Sequence, residues 1–144
     1  MIIANAEWEV MRVVWAKGQT TSGEILEILK QKMQWSPSTV KTLLKRLVAK
    51  GCLQAEKKGK RFIYSAKIDE KSSMDRQTDD LLNKFCQRQH PALLEHLLHT
   101  SSLTLTDIEH LQNVLTHKKK HAAAEIHCNC IPGQCRCKEN MEVF

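Results

Sequence analysis

Four cysteines occupy one ten-residue stretch, Cys128-Asn129-Cys130-Ile131-Pro132-Gly133-Gln134-Cys135-Arg136-Cys137. They form two Cys-x-Cys arms on either side of Pro132-Gly133. Proline presets φ for one corner of a tight turn, and glycine accepts the next corner. Such a turn brings the arms face to face, so four thiolates converge. Zinc takes four sulfurs tetrahedrally, but structural zinc sites usually leave two or more residues between paired cysteines. A single intervening residue favours neighbouring thiolates that share soft ions, and thiolates select Cu(I). The segment therefore reads as holding zinc weakly or Cu(I) strongly.

Other uses of these cysteines carry less weight. No apolar run approaches the roughly 20 residues of a membrane span. The start of the chain lacks the basic-then-apolar pattern of a signal peptide. The expected compartment is the reducing cytoplasm, where clustered cysteines read as metal ligands rather than disulfides. A redox switch is the minority reading. A purely structural zinc site is disfavoured because the segment has few apolar residues to organise. His121 and His127 are additional candidate ligands. Cys52 and Cys86 lie in apolar contexts and read as core residues. No Ser-His-Asp or His-Glu-x-x-His pattern is present. Four thiolates would leave a zinc ion no open position for catalysis. The expectation is a protein that is not an enzyme.

The elements before this segment form a distinct unit. Residues 4–16 carry Trp8, Met11, Val14 and Trp15 at helical spacing, closed by Lys17-Gly18. Thr21 and Glu24 have capping-box form, opening a helix that bears Ile25, Leu26, Ile28, Leu29 and Met33. Ser36-Pro37 opens a third helix. Its apolar face is Val40, Leu43, Leu44, Leu47 and Val48. Its opposite face carries Ser38, Thr42, Lys45 and Ala49, flanked by Thr39, Lys41 and Arg46. Two β-prone runs, 52–56 and 61–66, flank a cationic turn and predict a hairpin, with Phe62, Tyr64 and Ala66 on one face.

Three helices and a basic hairpin predict a winged helix-turn-helix, with the third helix in the major groove and the wing along phosphates. The net charge is +6. Residues 36–67 hold nine Lys or Arg and one acid, a local +8, so the rest of the chain sums to −2. Positive charge confined to one surface fits a polyanion partner, here double-stranded DNA. The candidate contacts are Ser38, Thr39, Lys41, Thr42, Lys45 and Arg46 on the helix, and Lys57, Lys58, Lys60 and Arg61 on the wing.

Residues 69–121 predict short amphipathic helices with leucine-rich faces and no second core to join. Leu93, Leu94, Leu97 and Leu98 follow a break at His90-Pro91. Thr106 and Glu109 have capping-box form. Lys118–Lys120 and Ala122–Ala124 extend the last helix. The apolar faces can be buried against a second copy, so a two-fold homodimer is expected. The chain is thus mainly α with a small β-hairpin wing. Its expected parts are a winged-helix domain (1–68), a helical dimerisation region (69–121) and a Cys-rich metal-sensing tail (122–144).

Ser38-Thr39-Val40-Lys41-Thr42-Leu43-Leu44-Lys45-Arg46-Leu47-Val48-Ala49-Lys50-Gly51, with Glu7-Trp8-Glu9-Val10-Met11 and Trp15 upstream, resembles the BlaI/MecI penicillinase repressors. The Cys-x-Cys-x-x-x-x-Cys-x-Cys tail resembles that of one branch, the copper-responsive repressors of the CopY type. All four cysteines of that pattern match, at 128, 130, 135 and 137. The resemblance implies a bacterial cytoplasmic homodimer that represses a copper-export operon. It implies a Zn(II) form bound to inverted-repeat operator DNA. It also implies release by Cu(I), the inducer, delivered by a copper chaperone. Carried onto this chain, Lys41 and Thr42 contact bases and the wing lysines contact phosphates. A copper or zinc storage or delivery protein is the alternative from another class. A winged-helix repressor with a redox-switch tail is another.

Overall fold

The computed structural model describes residues 2–138, which divide into two compact units at residues 77 and 78. The first unit opens with α1 (Asn5–Lys17), ended by Gly18 at φ 80°. The two-residue strand β1 (Gln19–Thr20) follows, then α2 (Ser22–Leu29) and α3 (Pro37–Ala49). The wing is β2 (Leu53–Lys58) and β3 (Arg61–Ala66), paired antiparallel from Leu53↔Ala66 to Lys58↔Arg61. Gly59-Lys60 is the connection. Positive φ at Gly59 alone suits a type II′ turn, which matches the twist of the flanking strands.

The caps fall where side-chain chemistry puts them. The Thr21 hydroxyl accepts from the Glu24 N–H at 3.3 Å. The Ser36 hydroxyl accepts from the Thr39 N–H at 3.3 Å, and Pro37 fills a position that needs no donor. Val40, Leu43, Leu44 and Leu47 are buried against Val10, Met11, Val14, Ile25 and Leu29. Tyr64, Ala66 and Ile68 pack on this core from the wing side. The Trp15 indole N–H donates to the Ile68 carbonyl at 3.0 Å and fastens the end of the wing to α1.

Several local expectations are corrected. The second helix stops at Leu29, and Met33 reaches the core from the turn beyond it. Val48 and Phe62 stay largely exposed, at the edges of their respective faces. A third strand, β1, pairs with β3 because the Gly18 turn lays Gln19 and Thr20 beside Ser65 and Tyr64.

Later in the chain come α4 (Glu70–Leu82), a 3-10 turn (Gln87–Gln89), α5 (His90–Thr100) and α6 (Leu105–Lys119). The capping box of α6 is Thr104 with Asp107, not Thr106 with Glu109. The Asp107 carboxylate accepts from the Thr104 N–H at 3.0 Å, which starts the helix two residues earlier, at Leu105. Lys119 ends α6, so Ala122–Ala124 do not extend it. His90 adopts helical geometry although Pro91 follows, and the break falls four residues earlier, at Cys86. Pro91 costs no hydrogen bond in a first turn, and the His90 ring bonds the Leu82 carbonyl at 2.8 Å. Among the described residues, no side chain of α4, α5 or α6 is buried.

The first unit holds one buried acid. Glu7 is 2% exposed, and both its oxygens accept from the Lys50 ammonium, at 2.8 and 2.6 Å. Lys50 also donates to the Ile2 carbonyl, so one side chain ties the N-terminus to the end of α3. Removing the cation leaves a desolvated carboxylate unpaired, whereas removing the acid leaves a partly solvated ammonium. Lys50→Met is therefore expected to cost about 3 kcal/mol, and Glu7→Gln clearly less, read from urea midpoints of the full chain. Equal losses would show that the pair is not the source.

Candidate nucleic-acid interface and cysteine centre

The polar face of α3 is arranged by its own N-terminus. Ser36 Oγ lies 2.9 Å from Ser38 Oγ and 3.0 Å from Thr39 Oγ1, and the Thr42 hydroxyl donates back to the Ser38 carbonyl at 2.9 Å. These bonds hold small hydroxyls close to the helix surface and leave Lys41, Lys45 and Arg46 projecting around them. Ser38, Lys41, Thr42, Lys45 and Arg46 are exposed, and Thr39 is half-buried. On the wing, Lys57, Lys58, Lys60 and Arg61 are all exposed. Lys41 of α3 and Lys60 and Arg61 of the wing line one open groove with Phe62 and Tyr64.

The partition of acids sharpens this surface. Lys17 pairs with Glu24, Lys30 with Glu27, Lys32 with Glu9 and Lys50 with Glu7. Among the described residues, no acid forms an ion pair with Lys41, Lys45, Arg46, Lys57, Lys58, Lys60 or Arg61. The acids of α1 and α2 neutralise the neighbouring lysines. The cations of α3 and the wing keep an unneutralised charge, the pattern of an anion-binding surface.

The second unit gathers thiols. Pro132 and Gly133 form the expected turn, with Gly133 at φ 90° and the Gln134 N–H donating to the Ile131 carbonyl at 3.2 Å. These features suit a type II turn. Each arm closes on itself in the same way. The Cys130 N–H donates to the Cys128 sulfur, and the Cys137 N–H to the Cys135 sulfur, both at 3.4 Å. The arms meet with Cys128 and Cys135 sulfurs 3.3 Å apart.

A cysteine outside the tail joins them. Cys86, between α4 and the 3-10 turn, has its sulfur 3.7 Å from that of Cys128 and 3.6 Å from that of Cys137. The sulfurs of Cys86, Cys128, Cys135 and Cys137 all lie within 4.8 Å of one another. Tetrahedral zinc with sulfurs at about 2.3 Å needs them roughly 3.8 Å apart. The donor set and its spacing thus fit a thiolate-bound ion. Cys130 is outside this mutual set, and its N–H donates to the Cys128 sulfur.

Hydrogen bonding and desolvation move the thiols of the cluster in opposite directions. A backbone hydrogen bond from Arg88, then thiol hydrogen bonds from Cys137, Cys128 and Cys130, pull the Cys86 thiol below its ordinary pKa. Desolvation, then hydrogen bonding with Cys128, Cys86 and Cys135, pushes Cys130 up to about 12. Cys137 is also pushed up to about 12, chiefly by its hydrogen bond with Cys135 and then by desolvation. A metal binds thiolates, so loading this cluster displaces protons and is favoured as pH rises.

Three of the four cysteines expected from sequence, Cys128, Cys135 and Cys137, lie in the four-sulfur group, and Cys86 stands in it where Cys130 was expected. Sequence reading placed Cys86 in a core. Instead it is half-buried beside the tail, and the available signal was its position in the break between two helices. Cys52 is buried in the first unit, as expected. His121 and His127 do not join the four-sulfur group. The His127 carbonyl accepts from the Gln87 side chain, and His121 stacks edge-on with His117. The last six residues of the predicted tail, 139–144, lie outside the described residues.

A three-helix unit with a basic wing, followed by helices and a thiol cluster, defines a winged-helix DNA-binding class. The chain belongs to the penicillinase repressor family, whose model matches residues 3–117. It is 40% identical over 137 residues to an uncharacterized 16.5 kDa protein of Latilactobacillus sakei, covering 95% of this chain and 94% of that one. It is 32% identical over 117 residues to the penicillinase repressor of Bacillus licheniformis, covering 81% and 91%. The solution structure of Bacillus licheniformis BlaI, a monomeric form in complex with the blaP half-operator, is 40% identical with a TM-score of 0.44. It covers 49% of this chain and 85% of that chain. The family match ends before the cysteine segment. The Latilactobacillus sakei match leaves too few residues uncovered to exclude it.

Proposed function

We propose that this chain is a copper-responsive transcriptional repressor of a copper-export operon, cytoplasmic and homodimeric. Residues 1–68 bind DNA, 69–121 dimerise and 122–144 sense metal. One observation carries the reading: the chain that presents a cationic α3 and wing, with Glu56 as their one acid, also holds a thiol cluster with zinc-compatible spacing. Membership of a repressor family supports the DNA half.

In this reading Ser38, Thr39, Lys41, Thr42, Lys45 and Arg46 enter the major groove, with Lys41 and Thr42 at base edges. Lys57, Lys58, Lys60 and Arg61 follow phosphates. A metal-loaded site supplies a fixed cross-link between the tail arms. Cys128, Cys130, Cys135 and Cys137 hold Zn(II) in the DNA-binding form and exchange it for Cu(I), handed over by a chaperone. Zinc on four thiolates carries −2, and two Cu(I) on four thiolates also carry −2, so the switch is geometric rather than electrostatic.

Dimerisation is supported by the apolar surface of the later helices. Leu94, Leu98, Leu105 and Leu115 are each at least half exposed in the single chain. Light scattering of the eluted protein is expected to give twice the chain mass. A concentration-independent monomer would remove the dimer.

The central experiment titrates the zinc-loaded protein, bound to inverted-repeat DNA, with Cu(I). Binding is expected to fall monotonically, and a Cys135→Ser/Cys137→Ser variant is expected to lose the response. Copper release that survives in that variant would sink the tail as sensor. A storage or delivery protein, the second reading, would not select the inverted repeat at all.

Base and phosphate contacts separate by their salt dependence. Lys41→Ala is expected to cost about 1–3 kcal/mol on the best operator and to relax base preference. Lys58→Ala is expected to weaken all sequences alike and to reduce the salt slope by about one. A uniform, sequence-blind loss for Lys41→Ala would move it to the phosphate group.

A further inference from the structure

We propose that Cys86 is itself a ligand of the metal site, so that a loaded tail is tied to the junction between α4 and α5. The inference rests on the metal-binding reading above and revises its zinc ligand set, with Cys86 in the place there given to Cys130.

The sulfur geometry is the first support. Cys86 bridges the two arms, since its sulfur is 3.7 Å from Cys128 on one and 3.6 Å from Cys137 on the other. Those separations match a tetrahedral thiolate site as well as the contact between the arms themselves. The second support does not involve sulfur. The Gln87 N–H donates to Asn129 Oδ1 at 3.0 Å, and Gln87 Nε2 to the His127 carbonyl at 3.2 Å. Arg88 Nε donates to the Ile126 carbonyl at 2.7 Å. Three polar bonds from the two residues after Cys86 thus seat the first arm of the tail. The third support is the junction's own construction. Cys86 has extended geometry, φ −53° and ψ 135°, between two helical segments. The His90 ring braces the same break through the Leu82 and Phe85 carbonyls, at 2.8 and 3.3 Å. Cys86 is therefore held on a fixed corner, not on a mobile side of a helix.

The consequence concerns exchange. Zinc takes four thiolates, which Cys86, Cys128, Cys135 and Cys137 provide. Cys130 stays beside them as a fifth sulfur, open to an arriving soft ion before any zinc bond breaks. A change of metal is then felt at residue 86, next to the C-terminus of α4. The α4 helix runs without interruption from the segment that follows the wing. This gives the tail a covalent route to the DNA-binding unit without contact between the tail and DNA.

The test uses the full chain, with and without zinc, in a brief N-ethylmaleimide pulse mapped by peptide mass spectrometry. Zinc is expected to slow labelling of Cys86 by at least about tenfold, together with Cys128, Cys135 and Cys137, because ligated thiolates are withheld from electrophiles. Unchanged labelling of Cys86 while the tail cysteines are protected would overturn the inference and leave the tail site standing. No protection at any cysteine would remove the metal site itself, and the inference with it. In Cys86→Ser, Cys130 can move into the vacant position, so zinc affinity alone does not decide. Hydrogen exchange does: zinc is expected to slow the amides of 83–89 in the native chain but not in Cys86→Ser. Equal slowing in both would also overturn the tie.

Discussion

The hydrophobic core of this chain ends at Leu53, and beyond it no described side chain is fully buried. Everything after the wing must be ordered by something other than its own apolar interior. Isolated helices of 11 to 15 residues, the lengths of α4, α5 and α6, are marginal in water. Within the second unit, the thiol cluster and the polar bonds from Gln87 and Arg88 fix one corner of the backbone.

Charge is organised on a similar economy. The first unit does not lack acids, yet they are placed beside lysines of α1, α2 and the end of α3. The cations of α3 and the wing form no ion pair with them among the described residues. The Glu7–Lys50 pair shows the strongest case, since it also holds the first helix to the third. The net charge of +6 would not by itself distinguish this arrangement from a uniformly basic surface.

Much of the first unit was legible because its signals are local. Ser36-Pro37 caps a helix by short-range hydrogen bonding. Val40, Leu43, Leu44 and Leu47 follow the period of a helix that has one buried face. Gly59 supplies the positive φ that a two-residue hairpin turn demands. The errors were also local. Thr104 and Thr106 both stand three residues before an acid, and only the hydrogen bond to Asp107 shows which of them begins α6. β1 is too short to leave a periodic signature and exists because β3 lies beside it.

The sequence by itself determined the chemistry of the tail, since two Cys-x-Cys arms around Pro132-Gly133 converge through backbone preferences within ten residues. It also determined the helix and wing that carry the cations, for the same reason of short range. Only the tertiary structure decided that Cys86 belongs with the tail. Its sulfur meets Cys128 and Cys137 across more than 40 residues of chain, through a helix break and hydrogen bonds from Gln87 and Arg88 that no spacing rule encodes. A cysteine flanked by Phe85 and Gln87 reads as a small core residue until the fold shows that no core lies there to receive it.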